Sequence, residues 1–521
     1  MKFSLLILLI LPVLFCTAQS GGLKGNFGSG GKLSINIDDL DELVGLFKDD
    51  SGNTYFYGNT SDYHGGVYPT DFFIGKLDEF GNLDNSFGTN GIFRSDFPGY
   101  STSSINQAIW HNNEIYFIGQ GINPSEPDTF LIFISNLSAN GQIDNTFSNN
   151  GFFTDDFLGS YNTAGSIIID SQNKLVFCGS TTDDQGTLIE YALIGRMDLD
   201  GNLDVTFGST GVRVWDTFGG SLIDAYHLPP SYDRHGEGAY LSEIVEINNN
   251  YFVCGKYVAT SFTQLHFFSV SKQGDINPDF ISYGPQIFQI DPGYNHWVQD
   301  IAFNGEDIIM AIRTDGPYFE GHHLLQKVDT IGVIGDIIDI EKSGYSLRTN
   351  FLEMWNNKLF VGGYSLNNNN AGPGYHSDDF LAFCLNDQFD TLSEFQFNHN
   401  FNSGDELGAR DIEMHNDYGV IAGFMNVNID TNFTDLAFMA FNVESTLEIQ
   451  NESQNSINIY PNPSSTYIQI ENYQGYYEIH NFTGQKIKSG LCDSQIDIAD
   501  IPNGCYLFKT ANSIEKFVIQ K

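Results

Sequence analysis

Residues 20–445 are a succession of short apolar segments separated by turns rich in Asn, Asp and Gly. Some segments alternate between apolar and polar side chains, as INQAIWHNN and GSIIIDSQN do. Others, such as EIYFIGQ and KLVFCGS, are apolar runs that reach a glycine. Alternation with a period of two, with β-branched and aromatic residues, predicts β-strands, and the polar clusters predict hairpin turns. The sequence therefore predicts an all-β protein.

The segments recur in an order that defines a unit of four strands. A strand such as GFFTDDF precedes an alternating strand, then an apolar run with its glycine, and finally a strand such as YALIGRMD that enters a glycine turn. The apolar run is centred near Tyr57, Phe117, Val176, Val253, Ile309, Phe360 and Ile421. Four strands repeated about seven times predict a β-propeller, because a closed ring of blades protects its sheet edges. Six or eight blades and an open β-solenoid are the alternatives.

A nine-residue phrase recurs every 60 residues. Its four copies, LKGNFGSGG, LDNSFGTNG, IDNTFSNNG and LDVTFGSTG, contain Phe27, Phe87, Phe147 and Phe207. A weaker copy, INPDFISYG, contains Phe280, and the last three units lack the phrase. Such spacing predicts a tandem array in which neighbouring units bury each other's apolar faces.

Two longer stretches carry a resemblance to a known repeat family. DFFIGKLDEFGNLDNSFGTNG at 71–91 and ALIGRMDLDGNLDVTFGSTG at 192–211 resemble the units of bacterial delta-60 repeat proteins. The resemblance is strong to about residue 290 and fades toward 445. It implies a propeller-like fold for residues 19–445, and it implies no catalytic residues.

The first residues have the pattern of an export signal. Lys2 precedes an apolar run over 5–15, and small residues follow at Cys16 and Ala18. This order predicts a signal peptide over 1–18 with cleavage before Gln19. The run is shorter than the roughly 20 residues that span a bilayer, and no other segment is apolar for long enough. We therefore expect a mature chain without a transmembrane segment, exported first to the periplasm.

The last residues change in character after a polar linker at 446–455. Residues 456–521 contain INIYPNPSSTYIQIE, YYEIHNFTGQKIKSG, IDIADIPNGCYLFKT and IEKFVIQK in succession. This order resembles the C-terminal sorting domain of the type IX secretion system of Bacteroidetes. The resemblance implies a small β-sandwich that the secretion machinery recognises, and a product that is released or attached to the outer-membrane surface. The motif residues are Tyr460, Pro461, Asn462, Pro463, Gly484, Gly504, Tyr506 and Lys516. Gly484 and Gly504 are expected at turns with positive φ.

Charge and cysteine content narrow the possible partners. The net charge of −42 opposes binding to nucleic acid and to anionic membranes. An extracellular glycan or a surface protein remains possible. Cys178, Cys254 and Cys384 lie in apolar strands and are expected to be buried, whereas Cys492 and Cys505 are close enough in sequence for a disulfide.

Two segments are candidates for ligand sites. Asp198, Asp200, Asn202 and Asp204 in DLDGNLD have the alternating oxygen ligands of a calcium loop. A glycine-centred hairpin turn explains the same residues, because the equivalent turns in other units have fewer acids. The second segment is AYHLPPSYDRHGEGAY, which lies in a step of 73 residues between Phe207 and Phe280. Its polar and aromatic side chains include His227, Tyr232, Asp233, His235 and Glu237, and they predict either a ligand loop or a longer solvated connection.

These observations favour a secreted or cell-surface propeller that binds or adheres without catalysis. No nucleophile elbow, phosphate-binding loop or HExxH motif occurs in the chain. No cofactor is expected apart from the calcium at residues 198–204. The alternatives are a hydrolase or lyase that acts on extracellular polysaccharide, and a structural protein of the cell envelope.

Overall fold

The computed structural model describes the chain in segments: residues 22–62, 70–97, 102–122, 129–182, 190–215, 222–223, 238–258, 263–277, 279–280, 286–288, 295–315, 321–339, 346–366, 378–385, 391–399, 407–428, 433–443, 458–471, 475–481, 486–492, 495–510 and 514–521. The chain forms two compact units, residues 1–444 and 445–521. Among the described residues, no helix is long and apolar enough to cross a membrane. The predicted signal peptide lies outside the described residues.

The first unit consists of strands. They are β1 (Lys32–Ile35), β2 (Leu40–Lys48), β3 (Thr54–Ser61), β4 (Thr70–Leu77), β5 (Ile92–Ser95), β6 (Thr102–His111), β7 (Glu114–Ile122), β8 (Phe130–Ser138), β9 (Phe152–Asp155), β10 (Asn162–Ile169), β11 (Leu175–Thr182), β12 (Glu190–Met197), β13 (Val212–Trp215), β14 (Leu222–Ile223), β15 (Gly238–Ile247), β16 (Asn250–Val258), β17 (Thr263–Ser271), β18 (Gln286–Phe288), β19 (Asn295–Phe303), β20 (Asp307–Asp315), β21 (Gly321–Asp329), β22 (Ile334–Asp339), β23 (Ser346–Trp355), β24 (Lys358–Leu366), β25 (Asp378–Leu385), β26 (Thr391–His399), β27 (Leu407–Met414), β28 (Tyr418–Asn428) and β29 (Phe433–Asn442).

These strands form seven antiparallel blades. Blades 1 to 6 begin at β2, β6, β10, β15, β19 and β23, and each pairs its four strands in chain order. Blade 7 contains β27, β28 and β29, and β1 is its fourth strand through the pairing of Lys32 with Met439. The first strand of each blade contacts the first strand of the next, and β27 contacts β2 to close the ring. The closed ring confirms the predicted propeller of about seven four-stranded blades.

The first copy of the repeated phrase belongs to blade 7. Leu23 bridges to Phe441 of β29, as Leu83 bridges to Leu77 inside blade 1. This copy lies at the start of the chain, so the last unit contains no copy of the phrase in its own sequence. In the folded ring the N-terminal segment supplies it, and blades 5 and 6 alone are without a copy.

The phrase joins each blade to the next one, which explains its strict spacing. The Phe27 ring is fully buried, and a Cβ on Gly81 would lie only 3.0 Å from it. The Gly28 amide donates a 2.7 Å hydrogen bond to the Phe80 carbonyl. The same bond recurs from Gly88 to Asn140, from Ser148 to Asp200 and from Gly208 to Gln273. At Gly81, Gly141, Gly201 and Gly274 a glycine is needed because side-chain or backbone atoms of the preceding copy of the phrase, or of the strand after it, occupy the space of a Cβ.

The core lies between the blades. Seven apolar clusters of described residues each combine side chains from two neighbouring blades, including the pair formed by blades 7 and 1. Burial of this apolar surface is the main stabilising term. Cys178, Cys254 and Cys384 are buried in these clusters, as expected from their strand positions.

The second unit has two sheets. Its strands are β30 (Asn458–Tyr460), β31 (Tyr467–Glu471), β32 (Gly475–Asn481), β33 (Lys486–Cys492), β34 (Gln495–Asp497), β35 (Gly504–Lys509) and β36 (Ile514–Ile519). One sheet has the order β30-β31-β34 and the other β33-β32-β35-β36. Side chains from both sheets, including Ile468, Ile479 and Phe508, share one buried apolar cluster. This arrangement agrees with the predicted small β-sandwich.

Candidate functional site

A cavity of about 480 Å³ lies where the innermost strands of the blades meet. It is called the axial cavity below. Each innermost strand has a β-bulge at the same height, where its register with the second strand shifts by one residue. The bulged residues all line the cavity, and they are Val44, Asn106, Gly165, Ser242, Gln299, Asn350 and Arg410. A bulge redirects side chains locally, so seven bulges in register produce a ring of inward-facing groups.

The residue after each bulge forms a second ring. These residues are Gly45, Gln107, Ser166, Glu243, Asp300, Phe351 and Asp411. All but Gly45 line the axial cavity. In blade 1 the Tyr57 hydroxyl takes the place of a side chain at position 45, since a Cβ there would lie 2.3 Å from the Tyr57 oxygen. Glu243, Asp300 and Asp411 give this second ring three carboxyl groups.

Two of these carboxyl groups hold adjacent blades together. Asp411 Oδ2 accepts a 2.7 Å hydrogen bond from the Leu46 amide, which closes blade 7 onto blade 1. Asp300 Oδ2 accepts a 2.6 Å bond from the Leu352 amide of the next blade. Their second oxygens accept bonds from the amides of the residues that follow them, Ile412 and Ile301. Each of these carboxyl groups is thus committed to the backbone through both oxygens.

Burial and mutual repulsion change the acidity of the three groups. Burial raises the pKa of Asp300 to about 7. Burial raises the pKa of Glu243 well above its usual range, and the charges of Asp300 and Asp411 raise it further. Burial likewise raises the pKa of Asp411, with Asp300 adding to the rise. At neutral pH the cavity therefore holds protons that ordinary carboxylates would have lost.

A mixed group of charged and aromatic side chains lies beside this ring. Tyr240 and Lys256 line the cavity, and the Lys256 ammonium lies 4.4 Å from the centre of the Tyr240 ring. Burial raises the pKa of Glu190 to about 7, and the Tyr240 hydroxyl and Lys256 charge oppose that rise. Arg410 donates a 3.1 Å hydrogen bond to Glu42. Cationic and aromatic groups thus share the cavity wall with the acids.

Three polar atoms of the cavity wall have no hydrogen-bond partner in the described structure. The Ser166 hydroxyl is one, and its residue is only 3% exposed. It lies close enough to the Glu243 carboxyl to favour the charged form, without a hydrogen bond of ordinary geometry. Asn106 Oδ1 is the second, although its amide nitrogen donates a 2.8 Å bond to the Ala164 carbonyl. Arg410 Nε is the third. Buried polar atoms without partners are uncommon.

The ligand loop predicted from the sequence is a different segment from the bulges that line the axial cavity. The predicted loop residues His227, Tyr232, Asp233, His235 and Glu237 lie outside the described residues. The loop nevertheless leads directly into β15, which carries Tyr240, Ser242 and Glu243 of the cavity wall. The sequences of the innermost strands contain a pattern that could have predicted these acidic residues of the ring. One polar residue recurs at the same place in LSEIVEI, VQDIAF and ARDIEM, each time followed by isoleucine.

The four residues of the predicted calcium site lie in one tight turn between β12 and β13. Asp198 Oδ1 accepts bonds from the amides of Asp200 and Asn202 at 3.1 and 2.8 Å. Asp204 Oδ2 pairs with Arg196 at 3.1 Å, and its other oxygen accepts bonds from Thr206. Within the described part of the chain, no three His, Cys, Asp or Glu side chains are grouped so as to hold a metal ion. Calcium at this turn stays a prediction.

The sorting-motif residues occupy both sheets of the second unit and the segment between β30 and β31. Tyr460 is exposed, and the peptide bonds before Pro461 and Pro463 are cis. Asn462 Oδ1 accepts a 2.9 Å bond from the Val518 amide, which fixes this segment to β36. Lys516 is exposed on β36. Gly484 lies outside the described residues.

Gly504 and Cys492 in the second unit differ from what the sequence predicts. The expectation of a positive φ at Gly504 is wrong, because Gly504 begins β35 and pairs with Ile519 in extended conformation. A strand position there places Tyr506 inward, where its hydroxyl donates a 2.9 Å bond to the Pro502 carbonyl. Cys492 is a buried free thiol, so the disulfide to Cys505 is not formed.

Comparison with known proteins identifies the tail. Residues 458–521 match the family described as "Secretion system C-terminal sorting domain". This match supports export through the type IX system, to the outside of the cell or to the outer-membrane surface. No curated protein matches the chain.

Solved structures with similar folds have very different sequences. The β-propeller domain of the Trilobed protease from Pyrococcus furiosus is 9% identical, with a TM-score of 0.39, over 78% of this chain and 98% of that chain. An α-L-arabinofuranosidase from Fusarium graminearum is 9% identical, with a TM-score of 0.29, over 54% of this chain and 92% of that chain. An endo-arabinase from Bacteroides thetaiotaomicron is 10% identical, with a TM-score of 0.27, over 53% of this chain and 92% of that chain. Likenesses at this level carry no argument about function.

Proposed function

We propose that the chain is an exported, non-catalytic binding protein whose axial cavity holds a small polar ligand or one residue of a larger glycan. Its propeller is of the delta-60 repeat type, and a signal peptide at 1–18 starts export. The sorting tail completes export through the type IX machinery, and the product is secreted or held at the cell surface as an adhesin or receptor. The segment at residues 225–240, which includes His227, Tyr232, Asp233, His235 and Glu237, remains a candidate ligand loop.

The observation that carries this proposal is the composition of the cavity wall. It combines hydroxyl, amide, aromatic and charged groups in a space of about 480 Å³, which falls within the usual range for small-molecule sites. The Ser166 hydroxyl and Asn106 Oδ1 have no hydrogen-bond partner in the described structure. A binding site with these features needs only a ligand that completes its hydrogen bonds.

The carboxyl groups of the cavity support binding over hydrolysis. A glycoside hydrolase needs one carboxyl group as general acid and a second as base or nucleophile. Asp300 and Asp411 each accept backbone hydrogen bonds through both oxygens. A group held in this way contributes to the structure of the ring, and proton transfer would require it to give up an inter-blade bond.

The test is a glycan-array screen of the purified full-length chain, in calcium and again in chelator. Gln299 lines the cavity, so Gln299→Trp should fill it and abolish binding. Val205 is 65% exposed on the surface, and Val205→Trp is the matched control that should bind normally. Absence of binding to every glycan and small polar probe, or binding that survives Gln299→Trp, would overturn the proposal.

A further inference from the structure

The axial cavity holds three acidic and two cationic side chains, and Glu243 is the acid for which the structure describes no backbone hydrogen bond. Its charged and titratable side chains are Tyr57, Tyr240, Glu243, Lys256, Asp300, Arg410 and Asp411, with Glu190 and Glu353 close by. The Arg410 guanidinium is paired with Glu42, and the Lys256 ammonium lies over the Tyr240 ring. Neither cation is paired with the three carboxyl groups by an ion pair in the described structure. The repulsion among these acids is therefore only partly compensated.

Two of the three partnerless atoms, those of Asn106 and Ser166, can accept hydrogen bonds, whereas the third, Arg410 Nε on blade 7, is a cationic donor. Asn106 Oδ1 can only accept hydrogen bonds, and the Ser166 hydroxyl accepts as well as donates. Glu243 comes from the blade next to that of Ser166, and the structure describes no backbone donor for its carboxyl group. A ligand that enters here meets a carboxyl, a hydroxyl and an amide oxygen. A primary ammonium group has three N–H donors and one positive charge, and it satisfies all three acceptors.

We propose that the axial cavity recognises the primary ammonium group of a small polar ligand, such as an amino sugar or a short polyamine, with Glu243, Ser166 and Asn106 as its acceptors. This inference rests on the proposed function and narrows it to a ligand class. The aromatic ring of Tyr240 adds a wall against which a sugar ring or an alkyl chain can pack. A bound cation also relieves the repulsion among the three carboxyl groups, which a neutral ligand of the same shape does not.

The proposal has a thermodynamic signature that a structural role for these acids would not produce. An ammonium group favours the ionised carboxylates, so its binding should expel protons that the ligand-free cavity holds near neutral pH. Titration calorimetry in buffers of different ionisation enthalpy measures that release directly. Affinity should fall as the pH is lowered and the acids become neutral.

The experiment uses the purified full-length chain and four probes: glucosamine, spermidine, N-acetylglucosamine and calcium chloride. We expect an amine to bind with proton release at about pH 8, and at least about tenfold more weakly at about pH 5.5. N-acetylglucosamine, which lacks the charge, should bind at least about tenfold more weakly than glucosamine. Glu243→Gln should weaken amine binding at least about tenfold, and Ser166→Ala should weaken it by a smaller factor. The exposed Glu306 provides the matched control, and Glu306→Gln should leave binding unchanged.

The outcomes separate this proposal from the broader one. Binding of a neutral glycan that Gln299→Trp blocks, with no preference for amines, overturns the ammonium proposal and leaves the proposed function standing. Binding of calcium without binding of amines overturns it as well. The ammonium proposal is also overturned if the affinity for amines does not change with pH and is unaffected by both Glu243→Gln and Ser166→Ala. If no probe binds and the arrays are also negative, both proposals fail.

Discussion

The Tyr57 hydroxyl stands where the side chain of residue 45 would otherwise be, because Gly45 leaves that position of the ring empty. Six of the seven blades place a side chain at this position, and blade 1 places the tip of a tyrosine from its second strand there. Burial raises the pKa of Tyr57, and the charge of Asp411 raises it further. The hydroxyl is thus kept protonated, and it remains a hydrogen-bond donor beside the acids.

This relationship predicts that Gly45→Ala displaces Tyr57. A Cβ at position 45 would lie 2.3 Å from the hydroxyl oxygen and 2.6 Å from the ring carbon that bears it. Overpacking of this kind costs about 1–3 kcal/mol, and thermal denaturation should show a correspondingly lower Tm. Gly25→Ala is the control, since a Cβ at Gly25 has no neighbour within 4 Å. Equal Tm values for the two variants would contradict the assignment of Tyr57.

Much of this architecture was predictable, since the period of the apolar runs gave both the strand type and the number of blades. The assignment of the first phrase was not, because Leu23 and Phe441 are far apart in sequence and pair only when the ring closes. The axial cavity was not predicted either. Asp300 and Asp411 look like ordinary polar positions of half-buried strands, and only the bulges, which depend on pairing between strands, direct them to the axis.

The closure of the ring by the N-terminal segment yields a second prediction. Phe27 and Phe87 are both fully buried at equivalent places, so Phe27→Ala and Phe87→Ala should each cost about 3–5 kcal/mol. They should differ in where the structure opens. Phe27 precedes the closing strand β1, which only tertiary pairing holds to β29, and hydrogen exchange should accelerate there in Phe27→Ala.

Phe87 lies in continuous chain between β4 and β5, so its variant should leave exchange in β1 closer to that of the native protein. Equal acceleration of β1 in both variants would show that ring closure is not a separate step of unfolding.

The Asp198 turn provides a third prediction. Its carboxylate accepts the amides of Asp200 and Asn202, so Asp198→Ala should lower stability by about 0.5–2 kcal/mol through the loss of these bonds. Because Asp198 and Asp204 already have partners, we expect the Tm to be the same in millimolar calcium and in chelator. A rise in Tm with calcium that Asp200→Asn removes would contradict this expectation and establish the predicted calcium loop.

The three acids of the axial cavity make stability depend on pH in an unusual direction. An unfolded Asp or Glu titrates near pH 4, whereas burial raises the pKa of Asp300 to about 7 and that of Glu243 well above its usual value. Between about pH 4 and pH 7 the folded protein therefore binds more protons at these groups than the unfolded chain does. Their contribution to the free energy of unfolding falls as the pH rises through this window.

Glu243→Gln should accordingly stabilise the propeller, by about 1–2 kcal/mol at about pH 8, because glutamine is neutral at every pH, whereas burial and the charges of Asp300 and Asp411 oppose the ionisation of Glu243 that the unfolded chain allows. The gain should shrink toward zero at about pH 3, where the carboxyl group of Glu243 is largely neutral in both states. Urea denaturation of the two proteins across this range measures the difference. Glu306→Gln, which changes an exposed carboxylate, should alter stability by less than about 0.5 kcal/mol throughout. A Glu243→Gln variant that is less stable than the native protein at about pH 8 would mean that the carboxylate holds the ring together, contrary to the ligand-binding role inferred for it.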